Sequence, residues 1–436
     1  MTIVIGFVLI VILLILGVPV FYCFGTAALL YTVTLGYTAL GTFPTMYGKL
    51  ASVVLISIPM FIMAGGIMEK GRIGDALIGF VEMFLGKIKG CLAIVACVTS
   101  AIFGSISGSG AATLSCIGGM ILPRMKAKGY DIGKSAAVIC CSAPLGLLIP
   151  PSAGQIMIAW IGNLSVLACF LSTVIPGIIL TILLSITSYF MFRKDPGPVK
   201  AYEESIANYS EMRRSRGART KFAIPALFMP FMILGGIYGG IMTPTEAAAV
   251  AVFYCIPVSI WVYKGATFKD INNIFIKTAV ATGTLMVMIA IMMVISQILV
   301  MENIPNMVFE SMTSITDNPK VLLLIINIFM VFVGMIMDDC SGIMLCSTLL
   351  LPMISDLGVS PYTMSAIIGV NLGMGNITPP TAPFLYIASK IANVDSMQIM
   401  KYCFPFLIFG YVPTLILTTY VPVVTTWLPR VILGIY

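Results

Sequence analysis

The chain has 436 residues, of which 59% are hydrophobic and 9% charged, and its mean hydropathy is +1.06. A water-soluble domain of this length could not bury so much apolar surface, so we expect helices of about 20 apolar residues that cross a lipid bilayer. There is no histidine, which removes the commonest general base and transition-metal ligand. The eleven cysteines show no CxxC spacing and are expected to be small buried hydrophobic residues. The net charge of +7 comes from basic residues in short loops beside apolar segments, which indicates membrane topology and not nucleic-acid binding.

The first segments in chain order are apolar. They predict helices over 2–18, 20–36 and 51–68, followed by a mixed helix over 73–87 that we expect near the membrane interface. The N-terminal segment has neither a basic start nor a small-residue cleavage site, so we expect the first helix to be retained.

A re-entrant helical hairpin is predicted next, over about 90–124. Its two apolar arms are short for a full crossing, and they meet at the sequence SISGSG, residues 105–110. A broken helix is then predicted over 131–162, interrupted by a Gly-to-Pro-Pro sequence. Non-helical backbone at membrane depth persists only where it is buried in protein or lines a cavity, so both breaks predict a functional interior.

A long polar segment, 193–221, follows a crossing helix predicted over 164–192. It carries eight Lys or Arg residues against four acids. We interpret it as a cytoplasmic linker between a first half, 1–192, and a second half, 222–436. The alternative is an arm that binds a partner.

The second half repeats the plan of the first. The predicted elements are helices over 222–242, 245–263, 271–300 and 303–316, a hairpin over about 320–355 with its tip at 338–342, a broken helix over 361–390, and a last apolar region over 401–428.

An internal repeat relates the two hairpins and the two broken helices. Phe103–Ala153 aligns with Phe332–Ala382 at a shift of 229 positions, without a gap. Corresponding interruptions in the two halves of a membrane protein are a strong sequence indication of a transporter binding site. The coinciding pairs include Leu122/Leu351, Pro123/Pro352, Gly129/Gly358, Ala137/Ala366, Ile139/Ile368, Gly146/Gly375, Pro150/Pro379 and Pro151/Pro380.

Charge and crossing number predict the orientation of the two halves. Five crossings per half, an odd number, would place the copies upside down relative to each other. The base of the first hairpin is basic and should therefore be cytoplasmic, whereas the base of the second lacks a basic excess and should be external. Both termini are then expected to be periplasmic. The residues behind this prediction are Lys87, Lys89, Arg124, Lys126, Lys128 and Lys134 at the first base, and Glu310, Asp317, Lys320 and Asp356 at the second.

The breaks are the candidate sites for cations. Helix ends expose unpaired backbone groups, and unwound carbonyls with helix C-termini coordinate sodium in transporters. The alternative is that the serines and glycines at the breaks only allow close helix packing. The predicted sodium ligands are Ser105, Ser107, Ser109, Gly146, Ile149 and Pro150 in the first copy and Gly334, Asp338, Gly342, Gly375, Thr378 and Pro379 in the second.

Polar side chains near the breaks are the candidate substrate ligands. Acids at membrane depth are costly, so Asp338 and Asp339 are predicted to bind a cation or substrate hydroxyls. The alternative for these two acids is that the tip reaches water and they are only solvated. The alternative for the other polar side chains near the breaks is that they only pack against neighbouring helices. No nucleophile–base pair is recognisable, so an enzyme is not predicted. The predicted substrate-binding residues are Ser107, Ser152, Asp338, Asp339, Asn371, Asn376 and Thr381.

Five motifs give the chain a family resemblance: FGSISGSGAAT, LIPPS, TPTEAAA, GMIMDD and NITPPTAP. On these motifs the chain resembles, over essentially its whole length, the large membrane subunit of the tripartite ATP-independent periplasmic (TRAP) transporters. The resemblance implies an all-α polytopic protein of the bacterial inner membrane with two inverted-topology repeats. It also implies an elevator mechanism, in which a transport domain with both hairpins moves against a scaffold. Two or more sodium ions, with no organic cofactor, would drive the import of organic acid anions such as C4-dicarboxylates or sialic acid.

The same resemblance implies two protein partners, a small four-helix membrane subunit and a periplasmic substrate-binding protein. The chain contains neither segment, so both are expected as separate polypeptides. The alternative is a self-sufficient sodium/dicarboxylate symporter of similar architecture. The aspartate pair and the many hydroxyls would suit a polyhydroxylated acid such as sialic acid.

Overall fold

A computed structural model describes residues 2–37, 39–86, 88–200, 216–354 and 358–435. Lys87 and Asp356, two residues of the orientation prediction, lie outside these ranges. Within the ranges the regular structure is entirely helical. Seven helices are long and apolar enough to cross a membrane, and the bent pair Ile132–Leu148 and Ala153–Ile161 can form an eighth crossing; both counts apply to the described ranges. The structure therefore confirms an all-α polytopic membrane protein.

Eleven α-helices are described in the first half. They are α1 (Thr2–Ile15), α2 (Val20–Thr34), α3 (Ala39–Leu50), α4 (Ser57–Lys70), α5 (Ile73–Leu85), α6 (Cys91–Ser107), α7 (Gly110–Ala127), α8 (Ile132–Ser142), α9 (Leu145–Leu148), α10 (Ala153–Ile161) and α11 (Val166–Phe192).

Eleven further helices are described in the second half. They are α12 (Arg216–Tyr238), α13 (Pro244–Pro257), α14 (Phe268–Met301), α15 (Ile304–Thr313), α16 (Pro319–Ile336), α17 (Asp339–Leu350), α18 (Pro361–Gly375), α19 (Pro383–Ala392), α20 (Ser396–Phe406), α21 (Val412–Tyr420) and α22 (Val423–Leu433).

The structure differs from the predicted element bounds at three places. The structure has a helix, α3, before the one predicted at 51–68, and a short 3-10 turn then leads into α4. Helix α12 begins at Arg216, so the end of the predicted linker is helical, while its part from 201 to 215 lies outside the described residues. The last apolar region is helical from Ser396 to Tyr420, where a π-helical turn joins α20 to α21, and a break at Pro422 separates it from α22.

The helix bounds follow the repeat found in the sequence. A shift of 229 positions brings α6 onto α16, α7 onto α17 and α8 onto α18 within about one residue at their starts. Both Pro-Pro pairs at the breaks, Pro150-Pro151 and Pro379-Pro380, have a cis peptide bond. The inverted relation of the two halves, and the halves as domains, stay predictions.

The helices pack as two groups. Helix α4 packs against α13 and α14, and α14 also contacts α2 and α3. Both hairpins, α6–α7 and α16–α17, pack with the broken helices, and α6 also packs with α11. Helices α5 and α15, at matching places in the repeat, contact helices of both groups.

Each half contributes to the packing of the other. Helix α10 packs on α17, where a Cβ added at Gly154 would lie 2.7 Å from Ile343 Cδ1. Helix α19 packs on α7 in the same way, and Gly118 faces Ile391 there at 3.5 Å. Small residues thus let each broken helix lie close against the hairpin of the opposite half.

Ion pairs fix the base of the first hairpin to α5. Arg124 Nη2 lies 2.6 Å from Asp75 Oδ1, and Lys128 Nζ lies 3.3 Å from Glu82 Oε1. These pairs are partly exposed, so each contributes little to the folding free energy.

Candidate functional site: two hairpin tips against two broken helices

The first hairpin tip is tied to the first broken helix. Helix α6 ends at Ser107, and Gly108 reverses the chain in the left-handed region with φ of 61°. The carbonyl of Gly108 accepts a hydrogen bond of 3.1 Å from the backbone N–H of Ala153, the first residue of α10. A Cβ at Gly108 would lie 3.0 Å from the Pro151 carbonyl oxygen, so the tip and the break require glycine here.

Three oxygen atoms gather at this tip. Ser107 Oγ lies 3.2 Å from Thr113 Oγ1, and Thr113 Oγ1 donates to the Ser109 carbonyl at 2.8 Å. Ser107 and Thr113 are fully buried. Gly146 of the broken helix faces this group, since an added Cβ would lie 2.6 Å from Thr113 Oγ1 and 2.8 Å from Ser109 O. We call Ser107, Ser109, Thr113 and Gly146 the first oxygen cluster.

The other predicted ligands of the first copy make different contacts. The Ser105 hydroxyl donates to Ile102 O at 2.7 Å within its own helix. Ser152 Oγ donates to Leu147 O at 2.6 Å and caps α10. The Ile149 side chain packs against Gly177 of α11, and no described contact joins Pro150 to the tip. Sequence reasoning missed Thr113, although its position four residues after the cap Ser109 places it on the tip-facing side of α7.

The second hairpin tip carries its charge at the start of α17. Asp338 is the N-cap of α17, accepting hydrogen bonds from Cys340 N at 3.2 Å and from the Ser341 hydroxyl. Ser109 is the N-cap of α7 and occupies the matching position of the repeat. A carboxylate at a helix N-terminus is stabilised by the free N–H groups and by the helix dipole.

Asp339 joins the second tip to the second broken helix. The side-chain amide of Asn376 donates to the Asp339 carboxylate. Asn376 Oδ1 is buried, and no described group donates to it. The backbone carbonyl of Asn376 accepts from Phe384 N at 3.2 Å, which turns the chain into α19. Asp338, Asp339 and Asn376, which we call the acidic cluster, therefore combine two carboxylates with an amide oxygen that lacks a donor.

The backbones of tip and break touch in both halves. A Cβ at Gly375 would lie 2.5 Å from Gly334 Cα, and one at Gly104 would lie 2.6 Å from Gly146 Cα. Thr381 extends the contact in the second half, because its N–H and hydroxyl donate to Met335 O at 3.1 Å and 2.6 Å. For these glycines the structure supports the packing interpretation, and close packing also brings the oxygen atoms of tip and break together.

The remaining predicted residues of the second copy lie in other environments. A Cβ added at Gly342 would lie 3.0 Å from Leu372 Cδ2, and the Thr378 hydroxyl donates to Met374 O at 2.8 Å within its own turn. Asn371 is hydrogen-bonded at 2.7 Å to Asn327 of α16. No described contact joins the side chain of Pro379 to the tip.

A cavity of about 580 Å³ lies beside the first tip, between α4, α7 and α14. It is large enough for a small organic acid. Gly65 of α4, next to the lining residue Gly66, abuts Ser107, since a Cβ added at Gly65 would lie 3.0 Å from Ser107 Cβ; the residues of the first oxygen cluster are not themselves part of the lining. We call this cavity the tip cavity. Its polar lining comprises Glu69, Lys70, Asp270, Asn273, Lys277 and Thr278.

The fold and the paired tips define a class of protein. Its members are helical membrane proteins that cross the bilayer several times, have broken helices in the membrane interior and transport solutes. The family model described as "Tripartite ATP-independent periplasmic transporter, DctM component" matches residues 7–424. The chain belongs to this family and is a TRAP transporter large permease subunit.

Three relatives illustrate the range of the family. The chain is 31% identical over 450 residues to the C4-dicarboxylate TRAP transporter large permease protein DctM of Vibrio cholerae, covering 98% of this chain and 97% of the relative. It is 29% identical over 423 residues to the sialic acid TRAP transporter large permease protein SiaM of the same organism, covering 97% of each. It is 30% identical over 422 residues to the isethionate TRAP transporter permease protein DctMQ of Oleidesulfovibrio alaskensis, covering 94% of this chain but only 64% of that longer protein.

A solved structure has a similar fold. The YdaH transporter of Alcanivorax borkumensis superimposes with a TM-score of 0.61 at 13% identity, over 89% of this chain and 88% of that chain. At this identity the likeness concerns the fold alone.

Proposed function

We propose that this chain is the permease of a sodium-driven, binding-protein-dependent transporter of the bacterial inner membrane that imports an organic acid anion by an elevator mechanism. The observation that carries the proposal is the pair of tip–break contacts. In both halves a hairpin tip ends in an oxygen-bearing helix cap and touches the glycine of a broken helix. Transporters bind their substrate and coupling ions at such repeated breaks.

The donor atoms at both tips suit sodium. The first oxygen cluster offers a carbonyl and two hydroxyls, which are the hard, neutral ligands that such a cation accepts. The acidic cluster offers carboxylates and the free amide oxygen of Asn376. When bound, sodium supplies positive charge in a site that contains no basic side chain. Ser107, Ser109 and Thr113 would hold one ion, and Asp338 with Asn376 would hold another.

The substrate class follows from the relatives and from the tip cavity. The three relatives carry names for C4-dicarboxylate, sialic acid and isethionate, all of which are small organic acid anions. The tip cavity has the volume for such a molecule, and its two lysines, Lys70 and Lys277, are balanced by the carboxylates of Glu69 and Asp270, with Lys70 Nζ 3.8 Å from Asp270 Oδ1. With the base of the first hairpin on the cytoplasmic side, this cavity would be the exit toward the cytoplasm.

The elevator interpretation assigns the two helix groups to different roles. Helices α4, α13 and α14 would form the scaffold, while the hairpins and broken helices would form the mobile domain. The contacts between them favour sliding because they involve small or flexible side chains, such as Gly65 against Ser107 and the Ser341 hydroxyl against Met288 Sδ at 3.3 Å. A small four-helix membrane subunit and a periplasmic binding protein would complete the system.

The test is transport by the purified proteins in proteoliposomes. Succinate, N-acetylneuraminate and isethionate are each supplied with their loaded binding protein, with and without an inward sodium gradient. We expect uptake of one class of acid that requires both the gradient and the binding protein. Equal uptake without sodium would refute the coupling, and robust uptake by the permease alone would favour the self-sufficient symporter.

A further inference from the structure

A second polar cavity lies at the other end of α14. Its volume is about 330 Å³, and it opens between α3, α10, α14 and α17. We call it the outer pocket. The residues that matter for its chemistry are Lys49, Trp160, Asn163, Ser296, Ser347 and Thr348.

Position relates the outer pocket to the tip cavity. Both are lined by α14, the tip cavity at Thr278 and the outer pocket at Ser296. At about 1.5 Å per residue these positions are about 27 Å apart along the helix. This is close to the thickness of the hydrocarbon core, about 30 Å, so the two cavities lie toward opposite faces of the membrane.

The walls of the outer pocket come from both helix groups. Helices α3 and α14 belong to the group proposed as scaffold, whereas α10 and α17 belong to the group proposed as mobile. The Thr348 hydroxyl of α17 donates to Ser296 Oγ of α14 at 3.1 Å across this boundary. A ligand in the pocket would therefore contact the two groups at once.

Two polar groups in the pocket lack a described partner. Ser347 is fully buried, and its hydroxyl makes no hydrogen bond to any described group. A buried hydroxyl without a partner is unfavourable, and a ligand or a water molecule normally satisfies it. Lys49, which is exposed at the mouth, has no carboxylate within ion-pair distance among the residues that the structure covers. An ammonium group and a free hydroxyl together make a site for a carboxylate.

We propose that the outer pocket binds the carboxylate of the transported acid, held by Lys49 and Ser347, at the face of the membrane opposite the tip cavity. This inference rests on the proposed transport of organic acid anions. Asn163 offers both a donor and an acceptor at the rim, so the pocket suits acids that carry a second polar group. The pocket would receive the anion before the mobile group carries it inward.

The experiment uses Trp160 as the reporter. The full-length chain with Trp261→Phe and Trp427→Phe retains Trp160 as its one tryptophan and is placed in phosphatidylcholine nanodiscs. Its fluorescence is titrated with succinate, N-acetylneuraminate and isethionate. We expect a saturable change with at least one acid and none with the neutral amide succinamide.

Variants assign the signal to the pocket. Lys49→Gln should weaken binding about tenfold and Ser347→Ala about threefold, while Lys49→Arg keeps binding within about threefold. Lys320→Gln is the matched control, because Lys320 is an exposed lysine at the base of the second hairpin outside the pocket, and it should change nothing. Equal binding by the parent and Lys49→Gln would overturn the proposal.

A lipid headgroup is the competing source of an anion at Lys49. Nanodiscs with added phosphatidylglycerol separate the two. If the lipid alone changes the Trp160 signal and none of the three acids does, the proposal is wrong. Sodium-dependent uptake with no acid binding at Trp160 would refute the outer pocket but leave the proposed function standing. Acid binding without any uptake would refute the proposed function, and the outer pocket would then be an acid-binding site with no part in transport.

Discussion

The two hairpin tips share a backbone and differ in chemistry. Each ends in an N-cap residue, touches a glycine of the broken helix and precedes a cis Pro-Pro pair. The first tip is neutral, with serine and threonine oxygens, while the second has two carboxylates and an asparagine. Under the proposed sodium coupling, the repeated backbone would set the position of each cation and the side chains would set how strongly each tip holds it.

The largest expected difference between the two hairpins is the side of the membrane on which their bases lie, because each base is either labelled from outside or not labelled at all. Single cysteines replace Lys128 at the first base and Lys320 at the second, in a chain whose native cysteines have been removed. A membrane-impermeant maleimide added to intact cells should label position 320 and not position 128. Labelling of both positions from outside would exclude the inverted arrangement.

The charge of the second tip is tested by Asp338→Ala against Ser109→Ala, its match in the repeat. The first change removes a carboxylate at membrane depth, whereas the second removes only a hydroxyl and leaves the carbonyl. We expect Asp338→Ala to raise the sodium concentration for half-maximal uptake more than tenfold or to abolish uptake, and Ser109→Ala to raise it about threefold. Uptake is measured in proteoliposomes across a range of sodium concentrations.

The opposite outcome is equally clear. If Asp338→Ala and Asp339→Ala both transport at the parental rate with the parental sodium dependence, the second tip is only a turn. The cation site assigned to it would then be wrong.

The shared backbone is tested by Gly375→Ala. The new Cβ would lie 2.5 Å from Gly334 Cα, and backbone cannot move aside easily. We expect a loss of about 1–3 kcal/mol in the free energy of unfolding, seen as a lower thermal midpoint in detergent. Gly119→Ala is the control, since nothing lies within 4 Å of its Cβ, and it should leave the midpoint unchanged or raise it. A parental midpoint for Gly375→Ala would contradict the close contact.

A smaller effect, of the same order as that of Ser109→Ala, is expected from a second change at the neutral first tip. Thr113→Val removes a hydroxyl of the first oxygen cluster while keeping the shape of the side chain. The loss of one neutral ligand, about 1 kcal/mol, should raise the sodium requirement about fivefold. Ser105→Ala removes a hydroxyl that is bonded within its own helix, and it should leave sodium dependence at the parental value. Equal effects of Thr113→Val and Ser105→Ala on the sodium requirement would mean that the first oxygen cluster is not a sodium site.

Much of the fold could be predicted from the sequence, since the length of each apolar segment predicts a helix and the internal repeat predicts the two hairpins. The N-caps Ser109 and Asp338 also fall at the predicted tips. The direction of each hydroxyl could not be predicted. Serine and threonine in helices often bond a carbonyl three or four residues earlier, as Ser105 and Thr378 do, and a sequence does not reveal which ones do so. Helix α3 escaped prediction because Pro44 lies inside it.

Each broken helix packs on the hairpin of the opposite half, and this arrangement has a consequence for the synthesis of the chain. The surface of α7 around Gly110 and Gly118 is covered by Phe384 and Ile391 of α19, more than 250 residues later in the chain. At about 5–20 residues per second, the first hairpin would wait about 13–50 s in the membrane before its cover is made. A ribosome-bound or truncated first half would therefore present an open glycine surface to chaperones and membrane proteases. Each half expressed by itself should then accumulate less than when both are produced together, which immunoblotting of the two fragments would measure.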